Sequence, residues 1–179
     1  MATSATPYGL KPVKRADGMP YAGATTQYLI DPAGEATNLF YGQVVIIGAD
    51  GYIALATGDG SDLTTNSISG TSGVGAIGVF VGCEYTNAQG QRIWSQYYPS
   101  GTTGDVRAKV VTDPNVIFQA QLDGSGAQTV LGTNTFFAAV QSTSTGSTQT
   151  GNSTSAVGAP PNPPAAPIAV VTAVFTHSF

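Results

Sequence analysis

The stretch QVVIIGADGYIALA, residues 43–56, is the clearest indication of fold in this chain. Two runs of apolar and β-branched residues, 43–47 and 52–56, lie on either side of the turn residues 48–51. An Asp-Gly pair between such runs is a strong hairpin signal, because glycine accepts the positive φ that tight turns need. We therefore predict strands at Gln43–Ile47 and Tyr52–Ala56 that pair with each other.

Further strand-like segments with turn residues between them continue on both sides of this hairpin. Residues 106–111 alternate apolar with mostly charged positions, which is typical of a strand with one buried face. The hairpin 76–98, turning at Asn87–Gly90, and the segments 24–30, 116–121 and 135–141 complete the set of predicted strands. Good helix formers are scarce and β-branched residues are frequent. We predict an all-β fold, a compact barrel or sandwich.

Composition divides the chain into four regions. Residues 1–20 contain Pro7, Pro12 and Pro20, and we expect an extended N-terminal arm before a β-rich body at 21–141. Residues 142–167 form a low-complexity Ser/Thr/Gly and then Pro-rich linker, for which no fold is predicted. Residues 168–179 form a strand-like tail that either closes the chain's own sheet, which we prefer, or joins a neighbouring subunit. Within the body, the Gly/Ser/Thr loop 58–75 is long enough to be functional or mobile.

The residue types that carry most enzyme chemistry are rare here. The 179 residues include one His (His177), one Cys (Cys83) and one Trp (Trp94), and 9% are charged. One Cys forms no internal disulfide, and one His with one Cys does not complete a zinc site. We predict a structural or binding protein, not an enzyme, without a cofactor or a metal.

Two apparent ligand motifs have weak support. The spacing Gly73-x-Gly75-x-x-Gly78 lies before a predicted strand, whereas a dinucleotide site needs a strand before it and a helix after it. The carboxylates of Asp59 and Asp62 match only a fragment of a calcium loop. The net charge of -4 disfavours nonspecific binding of nucleic acid.

The location of the protein is suggested by two features together. The N-terminus lacks the apolar core of a secretory signal, and no stretch approaches the roughly 20 apolar residues of a membrane span. The Gly/Thr/Ser-rich composition is nevertheless typical of extracellular β proteins. A virion protein, assembled in the host cytoplasm and working outside the cell, satisfies both observations; secretion by another route is the alternative.

Two groups of side chains are candidates for contacts with a partner. Lys11, Lys14 and Arg15 are three of the six basic residues and lie together in the N-terminal stretch, where they either tether an acidic body or form a solvated tail. Trp94 and Tyr98 are predicted to share one face of a strand. Packing within the protein is preferred for these aromatics over stacking on a sugar or a partner surface.

Three phrases of the sequence resemble a known family: SATPYGLKPVKRADGMPYAGATTQYLI, GVFVGCEYTNAQGQRIWSQYYPSGTTGD and DPNVIFQAQ. They are similar to structural proteins of marine tailed bacteriophages, of the cyanophage and pelagiphage type, that are regarded as capsid decoration or cement proteins. The resemblance runs from the N-terminus to about residue 155. It implies a β-rich body on the outer surface of the capsid, often trimeric, and no catalytic residues.

The resemblance also implies a site and a function. The capsid-facing arm would be Tyr8–Tyr21, with contacts from Tyr8, Leu10, Lys11, Lys14, Arg15 and Tyr21. We expect the protein to stabilise an icosahedral capsid by bridging major capsid protein subunits, with no nucleic-acid or membrane partner. Two alternatives stay open: a carbohydrate-binding host-adhesion module that uses Trp94, Tyr98 and the loop 58–75, and a glycan-cleaving enzyme.

Overall fold

A computed structural model describes residues 7–56, 76–123, 134–135, 137, 146–158 and 169–170, and all statements about structure refer to these residues. Ten β-strands and no helix are found there. The strands are β1 Lys11–Arg15, β2 Thr26–Leu29, β3 Val44–Ile47, β4 Ile53–Leu55, β5 Gly78–Thr86, β6 Arg92–Ser95, β7 Arg107–Val111, β8 Val116–Gln119, β9 Asn134–Thr135 and β10 Ala169–Val170. The all-β prediction is confirmed.

The main sheet has six antiparallel strands built around the long strand β5. Its order is β2–β7–β5–β3–β4, and β6 also pairs with β5. β7 lies along one edge of β5, whereas β3 and β6 share the other edge, at Gly78–Val79 and at Cys83–Thr86. The antiparallel sheets do not close into a barrel, so of the two predicted architectures the barrel is not formed.

Both predicted hairpins are confirmed. β3 and β4 pair in the register Ile47↔Ile53, and the Gly48 amide donates a hydrogen bond to the Tyr52 carbonyl at 2.8 Å. Gly51 has a φ of +84°, the positive value that the Asp-Gly signal predicts. In the second hairpin, the Asn87 amide donates to the Gln91 carbonyl at 2.9 Å before β6 begins.

Apolar side chains form one cluster on each face of the sheet. Val45 packs with Phe80 and Val110 in the first cluster, whereas its neighbours Val44 and Ile46 belong to the second. β3 is therefore buried on both faces, which explains its unbroken apolar sequence. The alternation predicted for 106–111 is also confirmed, because Val106, Ala108 and Val110 are all fully buried in the first cluster.

The N-terminal stretch packs onto the body along residues 10–15, so it is not a free arm there. β1 pairs with β8 in an antiparallel ladder, and Leu10 is buried in the second cluster. The physical reason is that β8 turns away from β7 after Asp113–Asn115 and takes β1 as its ladder partner. Removal of residues 1–20 would uncover the second cluster and break this ladder.

The prediction that 142–167 is a linker without a fold is corrected for residues 146–158. Gly151 and Ser153 bond through the backbone to Tyr41, and the Val157 amide donates to the Gln121 carbonyl at 2.8 Å. Gly151, Ser153, Ser155 and Val157 are buried, with intervening residues more exposed. Small residues are held here by backbone hydrogen bonds. The alternation of buried and exposed positions is therefore not marked in the sequence by large apolar residues at every second position.

Residues 169–170 of the tail form a strand that pairs within this chain, and the choice between this pairing and exchange with a neighbouring subunit stays a prediction. β10 forms an antiparallel pair with β9, in the register Ala169↔Thr135. Of the strand predicted at 135–141, Thr135 lies in β9 and Phe137 is fully buried, while the rest lies outside the described residues. The loop 58–75, with its carboxylates and most of its glycine motif, and His177 also lie outside them.

Candidate functional site

A groove of about 510 Å³ is lined by side chains from several separate parts of the chain, and we call it the Trp94 groove. The N-terminal stretch and the main sheet both contribute, as do β8 and the segment 146–158. The lining residues are Tyr8, Lys11, Tyr41, Trp94, Gln96, Gln119 and Asn152. Three aromatic rings, three amides and a single charged group therefore meet at one concave surface.

Trp94 is the most exposed of these rings, with 57% of its surface accessible. It lies on β6 opposite Glu84, and its indole packs against the backbone of Gly82 on β5. A Cβ atom on Gly82 would be 3.0 Å from the indole Cζ2, and the φ of Gly82 is +138°, so glycine suits both the backbone and the close approach of the ring. An aromatic ring over a strand glycine is a recognised stabilising arrangement. It holds one face of Trp94 against the sheet and leaves the rest of the ring to solvent.

The polar lining is also held in place. The Gln96 Nε2 atom donates a hydrogen bond to Asn152 Oδ1, and Gly151 packs so closely that an added Cβ would be 3.0 Å from the Gln96 Cβ. Lys11 and Gln119 are direct partners in the β1–β8 ladder. Two of the three amide side chains, Gln96 and Asn152, are thus held by a hydrogen bond to each other.

The two phenols of the groove stay protonated near neutral pH. Burial raises the pKa of Tyr8 and of Tyr41 above the usual value for a phenol, because desolvation disfavours the phenolate. Both hydroxyls therefore carry a proton near neutral pH and can donate it to an acceptor.

Charged side chains border Trp94 on the same face of the sheet. Glu84 contacts Lys109, and Arg92 bridges Glu84 and Asp105. The hydrogen bond and the charge of Lys109 lower the pKa of Glu84, and Arg107 likewise lowers the pKa of Asp105. Arg92, Asp105 and Arg107 are exposed and Glu84 and Lys109 are half-buried, so each pair adds little stability.

The structure separates the two aromatic residues that the sequence grouped together. Tyr98 is fully buried in the first cluster, and its hydroxyl donates to the Thr102 carbonyl at 2.9 Å. The assignment of Tyr98 as a surface contact is therefore corrected: β6 ends at Ser95, so the strand-face argument does not reach it. The preference for packing within the protein is confirmed for Tyr98, whereas Trp94 packs across strands against Gly82 and is still 57% exposed.

The residues predicted as a capsid-facing arm fall into four places. Tyr8 and Lys11 line the Trp94 groove, whereas Leu10 lies in the core. Arg15 and Tyr21 line a small cleft of about 140 Å³ near Asp113, and Arg15 pairs with that carboxylate at 3.6 Å. Lys14 is exposed.

Next to Lys14, two apolar side chains are exposed, and we call Val13, Lys14 and Met19 the N-terminal patch. Val13 is 46% exposed and Met19 is 61% exposed. The register of β1 against β8 shifts between Pro12 and Lys14, so Val13 is the extra residue of a β-bulge. Bulges re-aim side chains, and here the bulge turns an apolar residue away from the core.

Of the other sequence candidates for chemistry, Cys83 lies within the described residues, and it is buried. Burial raises the pKa of the Cys83 thiol to about 12, which removes the thiolate needed for nucleophilic attack. In the part of the chain that the structure describes, no three His, Cys, Asp or Glu residues are grouped to hold a metal. No helix there is long and apolar enough to cross a bilayer.

Four residues of the groove were missed by sequence reasoning: Tyr41, Gln96, Gln119 and Asn152. Nothing local distinguishes them, because a single tyrosine and scattered amides are common on any surface. Only the topology brings them together. Comparisons with protein-family models, with curated proteins and with solved structures find no match to this chain.

Proposed function

We propose that this chain is a virion structural protein that binds the outer surface of an icosahedral phage capsid and stabilises it by bridging major capsid protein subunits. Assembly in the host cytoplasm and a trimer on the capsid belong to the same proposal. The support begins with the sequence phrases that resemble capsid decoration proteins, because two of them cover Ser4–Ile30 and Gly78–Asp105, much of the described body.

One structural observation carries the proposal: the exposed N-terminal patch lies within the stretch that the resemblance assigns to capsid contact. Val13 and Met19 expose apolar surface, and Lys14, which follows Val13 in the sequence, is exposed as well. Lys14 makes no ion pair within the described residues, so its charge is available to a partner carboxylate. Apolar anchors with a rim of charge are the usual composition of a protein interface.

The attachment of β1 to the body gives the contact surface a fixed conformation before it meets a partner. β1 is held to β8 by a ladder, and Leu10 anchors its beginning in the core. The contact surface therefore loses little conformational entropy on binding, unlike a disordered arm. A modest affinity for each site is enough when many copies cover one lattice.

The test is to bind the purified protein to undecorated capsids of the phage whose genome encodes it. We expect cosedimentation with wild-type protein and a higher capsid melting temperature, because a partner that binds only the assembled shell stabilises it. The variant Val13→Asp/Met19→Asp should lose binding without unfolding, since both side chains are exposed. Leu29→Asp is the matched control, because Leu29 is 49% exposed but lies on β2.

Three results would contradict the proposal. They are the absence of the chain from purified virions, equal melting of decorated and bare capsids, and full binding by the Val13→Asp/Met19→Asp variant. Light scattering on the bound and free forms tests the trimer separately.

A further inference from the structure

We propose that the Trp94 groove binds a neutral oligosaccharide, with a sugar ring stacked on the Trp94 indole and its hydroxyls bonded by the phenols and amides around it. This inference does not depend on capsid binding. The groove includes Tyr8 and Lys11 of the stretch Tyr8–Tyr21, but it shares no residue with the N-terminal patch that carries the capsid proposal.

The first argument is the state of Trp94. A large apolar ring that is 57% exposed is costly to leave in water, and packing over Gly82 fixes its orientation in advance. A pyranose ring has an apolar face of C–H groups and an edge of hydroxyls. A fixed and accessible indole matches that face at little entropic cost.

The second argument is the kind of polar group in the groove. Gln96, Gln119 and Asn152 supply amides, which both donate and accept, as each sugar hydroxyl does. Tyr8 and Tyr41 remain protonated because burial raises the pKa of both phenols. The amide-to-amide bond between Gln96 and Asn152 holds two of these groups in a defined orientation before any ligand arrives.

The third argument is charge and size, which narrow the ligand class. The groove contains one cation, Lys11, and no carboxylate, so it suits neither a cationic ligand nor the many phosphates of a nucleic acid. Its volume of about 510 Å³ lies within the roughly 300–1,000 Å³ typical of small-molecule sites. A short neutral glycan matches this combination of size, charge and hydrogen-bonding groups.

The chain provides its own reporter for the test, because Trp94 is its only tryptophan. The full-length protein is titrated with neutral hexasaccharides of glucose, mannose and galactose in several linkages, while the intrinsic fluorescence is recorded. We expect at least one hexasaccharide to change the Trp94 emission with saturation, with a dissociation constant in the micromolar to millimolar range. Titration with sodium sulfate and with a dT hexanucleotide tests the competing anionic ligand classes.

Variants then separate recognition by the groove from other contacts, with affinity measured by calorimetry. Trp94→Ala should weaken binding by about tenfold or more, since aromatic contacts contribute on the order of one factor of ten. Tyr41→Phe keeps the ring and removes one hydroxyl, so it tests the polar contacts even if Trp94→Ala disturbs the sheet. Leu29→Ala, exposed but distant in the fold on β2, should bind as the wild type does.

The proposal is overturned if no hexasaccharide binds to the folded protein at 10 mM, or if sulfate or the dT hexanucleotide binds more tightly than every sugar. It is also overturned if Trp94→Ala and Tyr41→Phe both bind as the wild type does. Retention of capsid binding by Trp94→Ala would show that the two proposals succeed or fail separately.

Discussion

Substitution of Gly9 by alanine measures whether the segment 146–158 belongs to the folded core. Gly9 has a φ of +73°, and an added Cβ would be 2.7 Å from the Gly42 carbonyl oxygen and 2.8 Å from the Ser153 Cβ. Its amide donates to the Ser155 carbonyl at 3.2 Å. Three distant parts of the chain therefore meet at a point where only a hydrogen atom has room.

The expected cost of Gly9→Ala has two parts. A positive φ at alanine destabilises the folded state by about 1–2 kcal/mol. About 0.4–1 kcal/mol of this is offset, because alanine makes the unfolded chain less flexible than glycine does. Forcing a methyl group into packed backbone adds about 1–3 kcal/mol. We expect a total loss of about 2–4 kcal/mol in the free energy of unfolding, which lowers the melting temperature by about 5–15 °C at this chain length.

Gly101→Ala is the matched control. Gly101 has the same φ of +73°, but nothing lies within 4 Å of the position that a Cβ would occupy. Gly101→Ala should lower the free energy of unfolding by only the cost of the positive φ, about 1 kcal/mol. Urea and thermal unfolding, followed by circular dichroism and Trp94 fluorescence, give both values.

The double variant Gly9→Ala/Ser153→Gly tests whether the methyl group added at residue 9 contacts the Ser153 side chain. Because Ser153→Gly also removes the Ser153 Oγ that accepts a hydrogen bond from the Ser155 amide, it is measured alone as well, and we expect the double variant to lose less stability than the two single losses added together. Equal stability of Gly9→Ala and Gly101→Ala, together with no coupling to Ser153, would refute the packing of 146–158 against the N-terminus.

Three further predictions concern other parts of the body. Tyr98→Phe should cost about 1 kcal/mol of unfolding free energy in urea denaturation, because the buried hydroxyl loses its bond to the Thr102 carbonyl; a stability unchanged within error would show that this bond contributes nothing. Cys83 should resist alkylation by iodoacetamide at pH 8 in the folded protein and react after unfolding, since burial raises the pKa of its thiol to about 12. Rapid labelling of the folded protein, measured by mass spectrometry, would contradict this burial. Stability should fall as the pH drops below about 4.5, because folding lowers the pKa values of Glu84 and Asp105. The stabilisation from these carboxylates is fully present above their unfolded pKa values. It is lost as the pH falls through their folded pKa values. Lys109→Gln should flatten this acid slope in thermal melts and 1 M NaCl should weaken it, whereas an identical slope in all three samples would rule out these carboxylates as its source.

Much of the fold could be predicted from the sequence wherever a strong local rule applies. The Asp-Gly turn at 50–51 and the alternation at 106–111 act through neighbouring residues alone, and both are present in the structure. Strand pairing between distant segments obeys no such local rule. β8 follows β7 after a short turn, yet β8 pairs with β1, almost the whole length of the body away in sequence.

The aromatic residues show a second limit. Trp94 and Tyr98 are both large and apolar, and both follow the same hairpin turn, so hydropathy predicts the same environment for each. What separates them is Gly82 on the neighbouring strand, which lets the indole lie on the outer face, and the end of β6 before Tyr98. A rule that considers one strand at a time does not detect a partner on another strand.

The candidate groove depends on the segment that the composition alone would have left without structure. Asn152 and the close packing of Gly151 against Gln96 both come from 146–158, and this segment bonds to Tyr41, a third lining residue. Small side chains let backbone approach backbone, so hydrogen bonds between distant segments replace apolar burial as the organising contact. The same packing that holds the C-terminal segment onto the body therefore also builds one wall of the groove. The wall of the groove that 146–158 provides is therefore shaped by contacts between backbone segments, not by large side chains.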